Sequence, residues 1–444
     1  MISILQKLHS GVKCSKVTVL EGRVCRIVCE TTLMKILTFV IAGFLASAVQ
    51  AQQPWALDAA KIYPAPDVSP ITGTIVIAGT KIRAVVAASD KGTTSVPRAS
   101  QCNGGVVVAG FQNSHVHFTA DEFRDARNLA AAELDRALTG MLTRYGYTTV
   151  FDIASDRDNT LALRDRIEKG DVRGPRILTA ALPLFPSNGL PVYIKHMPTE
   201  LLNKLPQPSS EAEALRIVRE NFAAGTDGAK LFIATPQGDG TIKRMPLDIA
   251  RVAVNEAHRR HKLAFAHPTD IQGIEDALEA HVDILAHPPL GAPAPWPEAL
   301  MKQVRDAGMS MMPTLKLLQV ELEKQGVPAA VAEQVLTENV AEFGKFAAMG
   351  GQVLFGTDVG YVTDYDPARE YELMAQAGLT SMQILASLTT TPALRWKEQK
   401  QRGRIAGGMN ADIVVLDADP ADSPRNFAAV RCAIRNGEII YAKE

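Results

Sequence analysis

The chain has 444 residues, of which 46% are hydrophobic and 21% are charged, and its formal net charge is −1. This composition excludes a chain too polar to fold, and the near-neutral charge provides no basic surface for nucleic acid. The length is sufficient for one large domain or two smaller ones, with a sizeable core.

A short apolar segment near the amino terminus has the layout of a secretory signal peptide. The segment "MKILTFVIAGFLASAVQAQQ" begins at Met34, carries Lys35 and ends its apolar run at the small-residue site "VQA". It is too short and wrongly flanked for a stable transmembrane helix. We therefore interpret residues 34–51 as a signal peptide and residues 1–33 as an upstream extension, with a genuine long leader as the alternative. The mature protein would be periplasmic or secreted and free of the membrane.

Cleavage after Ala51 would also remove three of the five cysteines. Cys102 and Cys432 would remain, which is an even number in an oxidising compartment, so we hypothesise that they form a disulfide. The cleavage site has no lipobox cysteine, which favours a free protein over a lipoprotein.

Both ends of the mature chain contain short apolar runs separated by Gly, Asn and Asp turns, a pattern typical of β-strands. Examples are "GTIVIAGTKIRAVVAA" within residues 72–104 and "ADIVVLDADP" within residues 403–444. We predict that residues 52–104 and 396–444 together build a small β-sandwich outside the main domain.

Between these ends, short apolar runs alternate with longer amphipathic stretches. Such alternation predicts a parallel sheet, and eight units in residues 105–395 predict a closed (β/α)8 TIM barrel of the α/β class. The predicted strands are residues 105–118, 147–153, 176–185, 228–234, 263–268, 283–289, 310–315 and 352–360. The helix-like stretches between them include residues 121–145, 211–225, 246–262, 270–281, 296–308 and 328–350.

The first predicted barrel strand contains the stretch "GFQNSHVHF", which places His115 and His117 two residues apart. Residues i and i+2 of a strand point to the same side, so both imidazoles could bind one metal ion. For an isolated pair, one histidine could equally pack in a core while the other caps a loop.

Further potential ligands fall in other predicted strands: Lys230 in the fourth, His267 in the fifth, His287 in the sixth and Asp358 in the eighth. The carboxyl ends of barrel strands meet at one mouth, where the active sites of this architecture lie. Each residue alone has a structural explanation, such as a helix cap for the aspartate and a solvent-directed ammonium for the lysine. Together with the histidine pair, these residues predict a metal centre.

This set of motifs resembles the amidohydrolase superfamily of metal-dependent hydrolases, and its order is similar to the imidazolonepropionase-like and Xaa-Pro dipeptidase-like branch. The similarity extends from about residue 70 to the carboxyl terminus and includes "GFQNSHVHF", "GTDGAKLF", "FGTDVG" and "GGMNADIVVLDADP". The resemblance implies a hydrolase with two divalent metal ions. One ion would be bound by His115, His117 and Asp358, the second by His267 and His287, and a carboxylated Lys230 would bridge both.

The chemistry of these side chains is consistent with such a set. Imidazole and carboxylate groups suit Zn²⁺, and two such ions could share one hydroxide and polarise a substrate carbonyl. Burial and neighbouring positive charge would lower the pKa of Lys230, so that its amine could take up CO₂ and become an anionic ligand. We therefore expect hydrolysis of an amide or peptide C–N bond in a small molecule, such as a dipeptide or an N-acyl amino acid. Asp358 would act as general base toward the metal-bridging hydroxide.

The sequence has "FAHPTD" and "LAHPPLG" where the superfamily commonly has "HAHG" and "EHG", so the substrate cannot be transferred from better-known members.

Two other functions remain open. A mononuclear deaminase would use an acidic residue three positions after the strand-five histidine. Asp270 stands at that position, although it is also well placed as a helix N-cap. A non-catalytic metal-binding barrel is the third interpretation.

Substrate selection is expected from three loops, residues 185–210, 235–246 and 360–369. The candidate substrate-binding residues are His196, Lys243, Arg244 and Arg369. The three cations could bind a substrate carboxylate, although charged loop residues are often merely solvated. The predicted partner is a small molecule, and a homo-oligomer is compatible with the sequence. The histidines in predicted helices, interpreted as surface or helix-end residues, are His258, His261 and His281.

Overall fold

A computed structural model describes residues 53–89, 96–195, 197–289 and 295–444 of the chain. The predicted signal peptide, the predicted upstream extension and His196 lie outside these ranges. Within them, no helix is long and apolar enough to cross a membrane.

Both ends of the described chain contribute to one seven-stranded sheet, in the order β17-β16-β15-β4-β1-β2-β3. Strands are numbered along the chain, and those of this sheet are β1 (Trp55–Ile62), β2 (Ile71–Ala78), β3 (Lys81–Ala87), β4 (Val106–Ala109), β15 (Ile413–Leu416), β16 (Val430–Arg435) and β17 (Glu438–Ala442). β1 and β4 are parallel, and the other neighbours are antiparallel. Residues 106–109 were predicted as the beginning of the first barrel strand, but they pair within this sheet and connect it to the barrel.

Alternating side chains of this sheet enter two different cores. Val107 of β4 packs inside the sheet, whereas Val106 and Val108 pack toward the barrel. This division follows from strand geometry, because successive side chains point to opposite faces. The sheet is curved, so that the turn between β2 and β3 lies close to the turn between β16 and β17. A Cβ added to Gly437 would lie 2.1 Å from the carbonyl oxygen of Gly79.

A disulfide joins Cys102 and Cys432, whose Cα atoms lie 5.6 Å apart. Both cysteines are fully buried in the core of the sheet. The bond connects the two chain ends, and it confirms the pairing hypothesised from the cysteine count.

The middle of the described chain forms a parallel eight-stranded barrel, as predicted. Its strands are β5 (Phe111–Val116), β6 (Tyr147–Asp152), β7 (Arg176–Thr179), β8 (Gly228–Phe232), β11 (Leu263–His267), β12 (Ile284–Leu285), β13 (Ser310–Met311) and β14 (Gln352–Val353). The strands pair in two groups, β5-β6-β7 and β14-β13-β12-β11-β8. Backbone hydrogen bonds connect the two groups on both sides and close the barrel. Leu184 donates its N–H to the Lys230 carbonyl at 2.9 Å, and Ser114 donates to the Phe355 carbonyl at 2.8 Å.

Large apolar side chains fill the barrel beneath its mouth. Phe151 of β6 and Phe265 of β11 have ring centroids 4.7 Å apart, and the Trp396 ring lies 5.1 Å from that of Phe151. Met312 and Leu354 belong to the same buried cluster. The barrel is therefore a packed core, and the open space lies at the strand ends.

Helices connect the barrel strands. In the described ranges they are Ala131–Met141, Arg157–Glu168, Thr199–Leu202, Glu211–Ala224, Leu247–Arg259, Ile271–Glu279, Glu298–Asp306, Leu315–Lys324, Ala329–Ala348, Ala368–Gln376, Ser381–Leu388 and Thr390–Arg395. A short hairpin, β9 (Ala234–Pro236) and β10 (Ile242–Arg244), follows β8. The first predicted helix, 121–145, is shorter than expected, because its first part is a single 3₁₀ turn at Asp121–Phe123.

The helix Leu315–Lys324 was missed, because "SMMPTL" was predicted to be a strand through residue 315. Its amino terminus is capped from a distant part of the chain. The buried Glu370 carboxylate accepts the N–H groups of Leu315 at 2.9 Å and Lys316 at 2.7 Å. A cap supplied by a residue this far along the chain leaves no local sequence signal.

Candidate active site

The histidine pair lies at the carboxyl end of the first barrel strand. His115 belongs to β5 and His117 follows it, and their Nε2 atoms are 3.2 Å apart. Both residues are buried, with 1% and 7% of their surface exposed. The two-residue spacing thus brings both imidazoles to one point at the barrel mouth.

Asp358 follows β14 and reaches the same point from the neighbouring strand. Its Oδ1 atom lies 2.7 Å from His117 Nε2 and 3.5 Å from His115 Nε2. Its backbone is left-handed, with φ at 59°, and its N–H donates to the His115 carbonyl at 2.9 Å. The glycines of "FGTDVG" permit this close approach: a Cβ on Gly360, where φ is 102°, would lie 1.9 Å from the His117 carbonyl oxygen.

The two histidines of the fifth and sixth strands lie beside this group. His267 ends β11 and His287 follows β12, and their ring centroids are 4.8 Å apart. His287 also approaches the first group, with its Nε2 atom 3.7 Å from Asp358 Oδ2. Its Nδ1 atom lies 2.6 Å from the hydroxyl of Thr314, which fixes the ring with Nε2 directed into the site. Thr314 was not identified from the sequence, because nothing local marks a residue 27 positions away as a partner.

Lys230 projects from β8 into the same mouth. It is 2% exposed, and its ammonium lies 5.6 Å from the centroid of the Phe232 ring. Burial lowers the pKa of Lys230 to about 7. In a substantial fraction of the molecules, Lys230 is therefore an uncharged amine at neutral pH. The uncharged amine is the form that reacts with CO₂.

The electrostatics of the site fit a divalent metal ion. Desolvation lowers the pKa of His267 to about 3 and holds that of His115 well below the usual range, so both imidazoles are neutral and offer lone pairs. Within the described residues, Asp358 Oδ1 has no hydrogen-bond donor, although two imidazole nitrogens surround it. The ligand atoms of His115, His117 and Asp358 all lie within 4.8 Å of one another. Buried nitrogen and carboxylate oxygen atoms in this arrangement are a donor set that suits Zn²⁺.

A buried carboxylate behind the site was not identified from the sequence. Asp152 ends β6 and is fully buried, and it accepts hydrogen bonds from the hydroxyls of Ser155 at 2.6 Å, Thr160 at 3.0 Å and Thr179 at 3.0 Å. Its Oδ1 atom lies 4.0 Å from His117 Nδ1. Its position at the end of "YTTVFDI" was the available signal, because polar residues at barrel strand ends face the mouth.

The site forms the floor of a cavity of about 390 Å³. Its walls come mainly from the segment after β7 and from the helix Leu315–Lys324. The loops predicted at 185–210 and 360–369 therefore contribute to the cavity, through residues such as Phe185 and Tyr361. This volume matches a small-molecule site.

The cationic residues predicted to bind a substrate carboxylate do not line this cavity. Arg244 is paired with Asp270 at 2.6 Å and Asp276 at 3.3 Å, and Arg369 donates to Gln319 at 3.1 Å. Lys243 lies on the exposed hairpin strand β10. The structure therefore does not bring these three residues into the described lining, and neighbouring acceptors or solvent satisfy their charges.

Asp270, the residue on which the deaminase alternative depends, is a helix N-cap. Its side chain accepts the N–H of Gly273 at 2.8 Å, and its other oxygen binds Arg244 at 2.6 Å. His258, which pairs with Asp283 at 2.8 Å, lies on the surface as predicted. These contacts give both residues structural partners outside the site.

Comparisons with known proteins agree with this architecture. The model of the Amidohydrolase family matches residues 106–440. No curated protein matches the chain. Similar solved structures include a Xaa-Pro dipeptidase with bound methionine in the active site, at 19% identity and a TM-score of 0.72, covering 88% of this chain and 100% of that one. The ochratoxinase of A. niger has 18% identity and a TM-score of 0.72, with coverages of 88% and 96%.

A third structure, molinate hydrolase, has 18% identity and a TM-score of 0.70, with coverages of 87% and 94%. At these identities the structural likeness establishes the fold, whereas the family match extends over most of the sequence. The chain belongs to the amidohydrolase family.

Proposed function

We propose that this protein is a metal-dependent hydrolase that cleaves the C–N bond of an amide in a small molecule. A hydrolytic role is supported by the family and by the similarly folded dipeptidase, ochratoxinase and molinate hydrolase. The observation that carries the proposal is the convergence of His115, His117 and Asp358 at the floor of a ligand-sized cavity.

The proposed metal centre holds two divalent ions, with Zn²⁺ as the expected metal. His115, His117 and Asp358 would bind one ion, His267 and His287 the other, and a carboxylated Lys230 would lie between them. When bound, such ions polarise a carbonyl oxygen and lower the pKa of a water molecule. The lowered pKa of Lys230 and its position beside His267 support its carboxylation.

Asp358 is the proposed general base. Its carboxylate is held rigidly by the backbone hydrogen bond to His115 and by the tight turn at Gly360. One oxygen atom lies in the imidazole cluster and lacks a hydrogen-bond donor among the described residues. It can therefore accept a proton from the attacking water and deliver it to the leaving nitrogen.

The deaminase alternative is less well supported. It requires a free carboxylate at Asp270, but both oxygens of that residue already bind a helix N–H and a guanidinium. A mononuclear deaminase also leaves the buried Lys230 without a role. Deamination would need Asp270 to leave its helix cap.

The proposed location is the periplasm or the extracellular space. This rests on the apolar segment at residues 34–51 and its small-residue cleavage site. The disulfide between Cys102 and Cys432 supports an oxidising compartment.

A substrate screen of the metal-loaded mature protein tests the proposed reaction. The panel should contain dipeptides, N-acyl amino acids, lactams, anilides and aminated heterocycles, with free amine, carboxylic acid and ammonia measured separately. Hydrolysis of an amide with loss of activity on chelation is the expected result. Ammonia release from a heterocycle, with no amide cleaved, would favour the deaminase.

A further inference from the structure

The cavity above the proposed metal site has predominantly apolar walls. The segment after β7 supplies Leu182, Phe185, Ile194 and Leu205, and the helix Leu315–Lys324 supplies Leu317. Such walls favour a ligand with a large apolar surface, because burial of apolar area is the main source of affinity in a small pocket.

Charged groups in the described part of this lining are few. Apart from the histidines, they are Lys230, Asp358 and Glu321, and the first two belong to the proposed metal site. Glu321 already has partners: it accepts the Tyr361 hydroxyl at 2.9 Å and lies 3.1 Å from the Lys324 ammonium. Outside the proposed metal site, the described residues of this lining therefore offer no cation for a substrate carboxylate, and their one carboxylate is already paired.

Resting on the proposed function, we infer that the substrate carries an uncharged, lipophilic aryl or alkyl group in this cavity. A free dipeptide or an N-acyl amino acid would bury a charge against Leu182, Phe185 or Leu317 without a partner. That desolvation is unfavourable unless an opposite charge compensates it. Arg244 and Arg369 could have compensated a carboxylate, but neither lines the cavity and each binds another side chain.

Matched acetanilides test this inference, because they share one scissile bond and differ at the far end of the ring. 4-Isobutylacetanilide and 4-acetamidophenylacetate differ by an isosteric change from isopropyl to carboxylate. 4-Ethylacetanilide and the 4-acetamidobenzylammonium ion differ by an isosteric change from methyl to ammonium. Dissociation constants are measured by calorimetry on metal-loaded Asp358→Asn, which is expected to turn over slowly, and kcat/KM is measured on the wild type.

Each uncharged member should bind at least about 10-fold more tightly than its charged partner. Equal or tighter binding of the carboxylate or the ammonium would overturn the inference, as would failure of all four compounds to bind. Binding in the expected order with no hydrolysis of any amide would overturn the proposed reaction and leave the inference about the cavity standing.

A pair of arginine substitutions on one turn provides a second test. Ile194 lines the cavity, whereas Val192, two residues earlier in the 3₁₀ turn Val192–Ile194, is 42% exposed and does not. Ile194→Arg should tighten binding of 4-acetamidophenylacetate by about 10-fold, because it supplies the missing cation, and should weaken binding of 4-isobutylacetanilide. Val192→Arg should change neither constant. Equal effects of the two substitutions would show that the ring substituent does not occupy this cavity, contrary to the inference.

Discussion

Lys230 is predicted to lower the stability of the metal-free fold and to be needed for metal binding. Burial lowers its pKa from 10.5 to about 7. Because the folded-state pKa is depressed, the unfolded chain binds this proton more tightly, and stability is lost as the pH falls from 10.5 toward 7. At about 1.4 kcal/mol per pKa unit, the loss at pH 7 is about 4 kcal/mol. Lys230→Met keeps the length of the side chain and removes the amine, so the metal-free variant should be more stable than metal-free wild type by up to about 4 kcal/mol.

Urea unfolding of the metal-free proteins in bicarbonate-free buffer measures this difference. The advantage of Lys230→Met should be largest near pH 7 and should shrink as the pH rises toward 10.5, where the lysine is neutral in both states. Metal analysis of the same variant, reconstituted with Zn²⁺, should show loss of most bound metal. Lys230→Ala should regain part of its metal and activity when a short carboxylic acid is added, because the acid can occupy the vacated position.

Lys316 provides a matched control, because it is also a buried lysine but has partners. Its ammonium lies 2.7 Å from the Asp364 carboxylate and 2.7 Å from the Asp366 carbonyl oxygen. Lys316→Met should therefore destabilise the protein and leave the metal content unchanged. A Lys230→Met protein that is destabilised without metal, yet binds metal normally, would refute the assignment of Lys230 to the metal site.

Four further outcomes are expected. Asp358→Asn should lower turnover at full metal occupancy by about 10²–10⁴-fold, and a rate within a few-fold of wild type would contradict the proposed general base. Burial raises the pKa of Glu370 from 4.5 to about 7, so the stability that it contributes below pH 4.5 is lost as the pH rises to 7. Glu370→Gln should flatten this dependence by about 3 kcal/mol, and urea unfolding at pH 4 and pH 8 measures it. Reduction of the Cys102–Cys432 bond, which spans 330 residues, should lower stability by up to about 5 kcal/mol, and an unchanged unfolding midpoint would argue against this. Amino-terminal sequencing of protein from the native host should begin at Gln52, and intact residues 1–33 would exclude the signal-peptide interpretation.

The barrel and the convergence of the candidate ligands at its mouth could be predicted from local patterns in the sequence. Apolar runs alternating with amphipathic stretches indicated the strands, and the two-residue spacing of His115 and His117 indicated a shared face. Because parallel barrel strands end at one mouth, residues at strand ends such as His267 and Asp358 could be placed together without coordinates. Local periodicity was sufficient here, since the barrel topology itself brings the ends of distant strands together.

The tertiary structure alone decided how the surrounding residues are used. Arg244 and Arg369 have the right chemistry for a substrate carboxylate, but they do not line the cavity and bind other side chains. Thr314, which orients His287, and Glu370, which caps a helix at Leu315, act on residues far away in the chain. Charge and residue type are properties of the sequence, whereas the partner that satisfies a charge is set by packing between distant segments, and no local pattern encodes it.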